Sequence, residues 1–118
     1  MAMTKPINSA QHAVIDYATA GAFIAAAGYY RNRHPEASKL ALVNAAAIVA
    51  LSVFTDYPGG VIRRLSFQTH GIIDSVLAVL CASGPAMFGF ADDPEAMTFY
   101  GQAAAETAVI SATDFSRA

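Results

Sequence analysis

Two histidines in this chain are each followed four residues later by an aspartate: His12 by Asp16, and His70 by Asp74. On a helix, a spacing of four puts both side chains of a pair on one face. Imidazole and carboxylate placed together can do four kinds of work. They can hydrogen-bond to one another and pin two helices, or hold one or two divalent cations between facing helices. They can offer two axial nitrogens to a haem b, or relay protons or ions, because histidine titrates near neutrality. Spacing alone leaves all four open. Neither pair has the Glu-x-x-His spacing of di-iron carboxylate bundles, while Arg63 and Arg64 lie close enough in sequence to serve haem propionates.

The two pairs are separated by 58 residues, and other residues recur at the same offset. Thr55-Asp56 returns as Thr113-Asp114, Tyr57 as Phe115, and Asn44-Ala45-Ala46-Ala47 as Gln102-Ala103-Ala104-Ala105. Pro35-Glu36-Ala37 and Pro94-Glu95-Ala96 match one residue out of step, as a single loop insertion would give. Self-similarity at a fixed period marks a duplicated structural unit. The expected fold is an all-α, single-domain bundle of four transmembrane helices. It is built from two tandem helical-hairpin repeats, over about 5–57 and 63–115. Each hairpin has two helices, so both hairpins start on the same side and the repeats are parallel, related by a pseudo-twofold axis. Helices 1 and 3 then stand diagonally across the bundle. His12, His70, Asp16, Asp74, Asp56 and Asp114 are expected to converge near one end as candidate metal or haem ligands.

The elements that must carry these residues are read from where charge is missing. Of 118 residues, 55% are hydrophobic and 14% charged, against about 25% charged in an average soluble domain. Tyr17 to Tyr30, Leu40 to Thr55 and Ser75 to Ala91 hold no charge, and Ala96 to Thr113 holds only Glu106. Extended through their polar ends, the segments become about 8–30, 38–56, 66–91 and 95–114. Each has roughly 20 residues, enough to cross a bilayer core of about 30 Å. Narrow polar stripes run along otherwise apolar helices: His12, Asp16 and Thr19; Asn44, Ser52 and Thr55; His70 and Asp74; Gln102, Glu106 and Thr113. A soluble amphipathic helix shows the reverse proportion, whereas a membrane bundle turns its few polar groups inward. Abundant Ala, Gly and Ser suit close helix packing in lipid. The first segment is expected to remain a span rather than a cleaved signal peptide, because Asp16 interrupts the would-be apolar run.

Three functional classes are disfavoured at this point. Seven scattered basic residues and a net charge of −2 make no nucleic-acid stripe. One cysteine, Cys81, allows no internal disulfide and no thiolate zinc cage. No Gly-x-Ser-x-Gly, Cys-x-x-Cys or His-Glu-x-x-His motif is present, and Tyr57-Pro58-Gly59-Gly60 is a turn rather than a phosphate loop. A binding or interaction protein is therefore expected ahead of an enzyme, with the bilayer and either a second copy or a larger membrane complex as partners. Glu106 has Ile48 as its repeat equivalent, and this break in symmetry makes it the candidate relay residue. Pro85 should kink the third helix. Tyr29, Tyr30, Tyr57 and Tyr100, near span ends, read as interfacial anchors. Lys5, Arg63, Arg64 and Arg117 on one side outnumber Arg31, Arg33 and Lys39 on the other by one, which places the N-terminus inside.

Within the second hairpin, Ser83-Gly84-Pro85, Gly89-Phe90, an acidic turn, Gly101 and Ser111 resemble the SPW-repeat type of small bacterial membrane protein. Here Gly84 separates the Ser and Pro, Met87 follows where that family has tryptophan, and the chain has no Trp. The resemblance implies tandem membrane hairpins in a bacterial inner membrane, and no particular activity.

Overall fold

The structure, a computed structural model, describes residues 5–118. Four helices follow one another: α1 (Ser9–Tyr30), α2 (Pro35–Val53), α3 (Phe67–Met87) and α4 (Ala96–Ala112). Among the described residues there is no strand, only two isolated bridges. Side-chain caps explain three of the four helix starts. Asn8 and Gln11 form a reciprocal capping box at the start of α1, with bonds of 2.9 and 3.0 Å. Ser66, 58 residues on, caps α3 through the Thr69 amide. His34 caps α2, its Nδ1 accepting from the Ala37 amide, and Pro35 occupies the first helical position.

The third helix ends earlier than the uncharged run that extends to Ala91. Gly89 takes a left-handed φ of 81°, the Phe90 amide donates to Pro85 O, and the Gly89 amide donates to Ala86 O. These are the two bonds of a Schellman closure. Pro85 therefore sits in the last turn of α3, where little helix remains beyond it to swing. The second helix starts at Pro35, three residues ahead of the expected segment, because the His34 cap and Pro35 nucleate it there.

The helices run up and down in chain order. α1 pairs with α2 along its length, α3 with α4, and α2 meets α3. At one end lies an apolar core built from Phe23, Ala27, Leu40, Phe90 and Phe99 among others, with Phe23 and Phe99 stacked at 6.1 Å. At the other end two backbone straps close the bundle. Leu65 donates to Phe54 O and its own carbonyl accepts from the Asp56 amide. Ile7 donates to Ala112 O and accepts from the Asp114 amide. The second strap is the first displaced by 58 residues in both partners. In each strap the residue preceding one hairpin is tied to the last turn of a helix: Leu65 to the end of α2, and Ile7 to the end of α4.

Candidate metal centre

Between the straps and the apolar core, α1 and α3 bring their His–Asp pairs together. His12 and His70 are fully enclosed at 0% exposure, and Asp16 and Asp74 are buried beside them. His12 Nε2 lies 3.2 Å from both Asp16 Oδ1 and Asp74 Oδ2. His70 Nε2 lies 3.1 Å from Asp16 Oδ2 and 3.9 Å from Asp74 Oδ2. The four groups can each offer one ligand atom within a sphere where all such atoms are no more than 4.8 Å apart.

The other ring nitrogens define the chemistry. His12 Nδ1 is 2.9 Å from Thr113 Oγ1, and His70 Nδ1 is 2.8 Å from Thr55 Oγ1. Each threonine hydroxyl already donates to its own helix, Thr113 to Val109 O and Thr55 to Leu51 O, both at 2.6 Å. A hydroxyl has one proton to give, so both threonines must accept, and both Nδ1 atoms carry hydrogen. Each Nε2 therefore faces the carboxylates either as a second N–H, in an imidazolium, or as a bare lone pair. A lone pair against a carboxylate oxygen at 3.1 Å is repulsive unless a cation stands between them. Although it is close to Asp16, His70 Nε2 is not aligned to hydrogen-bond it or any other group.

Asp16 has one further partner, the Tyr57 hydroxyl, which donates to its Oδ2 at 2.8 Å. Burial pushes the Tyr57 phenol far above its usual range, which keeps it a donor. The interfacial reading of Tyr57 is thereby corrected: it is 1% exposed, folded inward over the site. Tyr29 keeps an exposed ring, under the Arg33 guanidinium at 4.6 Å. Tyr30 bonds Thr98, and Tyr100 bonds Ala91 O.

Of the six ligands expected at this end, the structure gathers four. Asp56 is exposed, and Asp114 turns to Ser116. Helix register accounts for this. Thr55 continues the buried face of Ile48, Leu51 and Ser52, so the next residue points away from the axis. Arg63 and Arg64 are exposed too. A haem does not fit between the histidines: their ring centroids are 5.2 Å apart, the space between is filled by carboxylates, and the adjoining cavity is only about 60 Å³.

That cavity is lined from all four helices, by Asp16 and Thr19, Ile48, Asp74, and Gln102 and Glu106 among others. Glu106 Oε2 is buried with no hydrogen-bond partner. Pro85 lies in the other half of α3, beside the apolar core and outside the centre. No family model matches the chain, and neither a curated protein nor a solved structure shows detectable similarity to it.

Proposed function

We propose that this protein is a four-span membrane protein whose two hairpins clamp one divalent transition-metal ion between His12, Asp16, His70 and Asp74. The observation that carries the metal reading is the fixed tautomer. Threonines 113 and 55 hold both Nδ1–H groups, which turns both Nε2 atoms onto two carboxylates. Outer hydrogen bonds of this kind orient metal-binding histidines and raise their basicity. Four ligands at about 2.0–2.1 Å from a tetrahedral ion stand roughly 3.3 Å apart. The nitrogen–oxygen contacts here run from 3.1 to 3.9 Å, Asp16 meeting His12 with Oδ1 and His70 with Oδ2, and one atom from each residue lies within 4.8 Å of the others. A mixed imidazole and carboxylate set suits zinc, iron(II) or manganese(II). A divalent ion held by two neutral imidazoles and two carboxylates leaves the net charge of the centre at zero.

The membrane reading is supported by an exterior more apolar than the centre. α2 and α3 are long and apolar enough to cross a bilayer. The outer faces carry Val14 at 70% exposure, Ile72 at 68% and Val79 at 64%, together with Ile24, Leu42 and Val43. Hydroxyls on exposed faces, such as Thr107 and Ser111, donate to the carbonyl four residues back, which satisfies them without water. α4, with 17 residues, reaches about 25 Å and spans by drawing on its flanking residues. The loops are short, so contacts with other subunits of an assembly would be made chiefly within the bilayer.

Cobalt(II) titration of the purified, metal-free protein tests the centre. Tetrahedral ligation should give intense visible bands at one ion per chain, lost in the His12→Ala/His70→Ala variant. Absence of those bands, together with negligible metal in the protein as isolated, would overturn the metal reading. Fractionation tests the membrane reading, which fails if the protein is monodisperse in water without detergent.

A further inference from the structure

The centre is closed on one side and open on another. Towards the straps it is sealed by aromatic rings. Phe67 and Phe115 stand edge-on to His12, with centroids at 5.5 and 5.3 Å, and Tyr57 lies 5.1 Å from His70. On the opposite side lies the cavity of about 60 Å³, reached by Asp16 and Asp74 but by neither imidazole. That volume holds a few water molecules. The cavity lining includes Ala105, which is exposed, and most of it comes from α1 (Ile15, Asp16 and Thr19) and α4 (Gln102, Ala105, Glu106 and Val109).

Two places where the repeat symmetry breaks near the centre bear on this cavity. Glu106 and its equivalent Ile48 line it together, so one repeat offers a carboxylate where the other offers a methyl surface. Tyr57 occupies an oxygen of Asp16, whereas Phe115, its equivalent, has no hydroxyl to give Asp74. Both carboxylates reach the cavity, but Asp16 has a protein donor besides the histidines and Asp74 has none. Glu106 is not among the groups close enough to share an ion with the four ligands. Even so, its buried Oε2 lacks any partner. A buried carboxyl oxygen with no donor facing it is a position that takes either a proton or a cation, because leaving it as an unpaired anion costs several kcal/mol.

We infer that the cation enters and leaves through this cavity on the α1–α4 flank, with Glu106 as the capture residue that takes it up and passes it to Asp74. This inference rests on the metal reading of the four-residue centre, and it gives that centre a direction. The ion meets oxygen ligands first and exchanges them for the two imidazoles further in. Glu106 sets how fast the site fills and empties, and contributes little to how tightly it holds.

Stopped-flow binding of cobalt(II) alone to the full chain in lipid nanodiscs separates these roles. Glu106→Gln should slow association and dissociation together, by tenfold or more, with the equilibrium affinity within about threefold of the parent. Ala105→Leu, a substitution on the exposed rim that leaves Glu106 in place, should slow both rates by narrowing the inlet. Asp74→Asn should instead weaken equilibrium binding by at least a hundredfold. The inference is overturned if both Glu106→Gln and Ala105→Leu exchange cobalt at the parent rate. It is equally overturned if Glu106→Gln weakens binding as much as Asp74→Asn does, because Glu106 would then be a ligand of the centre. A parent protein that binds no cobalt at all defeats the metal reading itself, and this inference with it.

Discussion

Replacing Thr113 by valine isolates the bond on which the centre's chemistry turns. Valine has the shape of threonine, so the apolar contacts survive, but the acceptor for His12 Nδ1–H at 2.9 Å disappears. Thr113 is completely buried, and no water reaches the vacated partner. An unsatisfied buried donor costs about 1–3 kcal/mol. At about 1.4 kcal/mol per factor of ten, that is roughly 5- to 150-fold in metal affinity. The general experience that loss of an outer-shell partner costs about 10–100-fold falls in the same range. Thr55→Val removes the equivalent acceptor from His70, bonded at 2.8 Å, and should weaken binding by a similar factor. Calorimetric zinc titration of both variants, with helicity checked by circular dichroism, gives the comparison. If either folded variant binds zinc within twofold of the parent, the threonines do not orient the imidazoles, and the tautomer argument fails.

Other substitutions probe the frame around the centre. Tyr57→Phe makes positions 57 and 115 alike and removes a hydrogen bond to a carboxylate; thermal unfolding should show a loss of about 1.5–3 kcal/mol, while zinc affinity falls less than in Thr113→Val. Gly60→Ala should be severe, because a Cβ there would lie 1.8 Å from the Thr55 backbone oxygen. Relieving such a clash costs about 1–3 kcal/mol, and cobalt spectra should show the centre distorted through Thr55 before the rest of the bundle melts. At the opposite end, His34→Ala removes the α2 cap and the 2.8 Å contact with Asp93. A loss of about 1 kcal/mol is expected there, with metal affinity unchanged. Asp93→Asn alone should cost less, since the Asp93 side chain is 51% exposed and such pairs contribute little.

The His–Asp pairs were legible in the sequence because helical spacing and the 58-residue offset act on the same four residues. The helix count followed from the uncharged runs. Residues 55 and 113 were visible as repeated but not as partners of histidine. In a Thr-Asp dyad at a helix end, the charged member draws attention, whereas register selects the member on the buried face. Counting back in steps of three and four from Thr55 to Leu51 and Ile48 would have chosen the threonine. The straps could not be read at all. They are backbone hydrogen bonds between segments far apart in sequence, such as Ile7 and Ala112, and side-chain identity barely specifies them. Tyr57 was misread because a tyrosine near a span end suits an interfacial belt as well as it suits a buried carboxylate.

The pairing of histidine with threonine has a consequence for how the centre could be assembled. His12 belongs to the first hairpin and its threonine, Thr113, to the second; His70 belongs to the second and Thr55 to the first. Neither hairpin completes a histidine–threonine pair by itself, and each supplies what the other lacks. The straps cross-link the chain in the same closed order, with Ile7 beside Thr113 and Leu65 beside Thr55. The segment between Tyr57 and Leu65 links the hairpins but is bonded to the first, with Tyr17 donating to Gly59 O and the Val61 and Ile62 amides to Val53 O. Cut there, two separately made hairpins have every bond they need to find one another, and a circularly permuted chain rejoined near Ile7 and Thr113 would enclose the same four ligands. Two copies of a single hairpin, each lending its threonine to the other, would satisfy the same pattern of bonds.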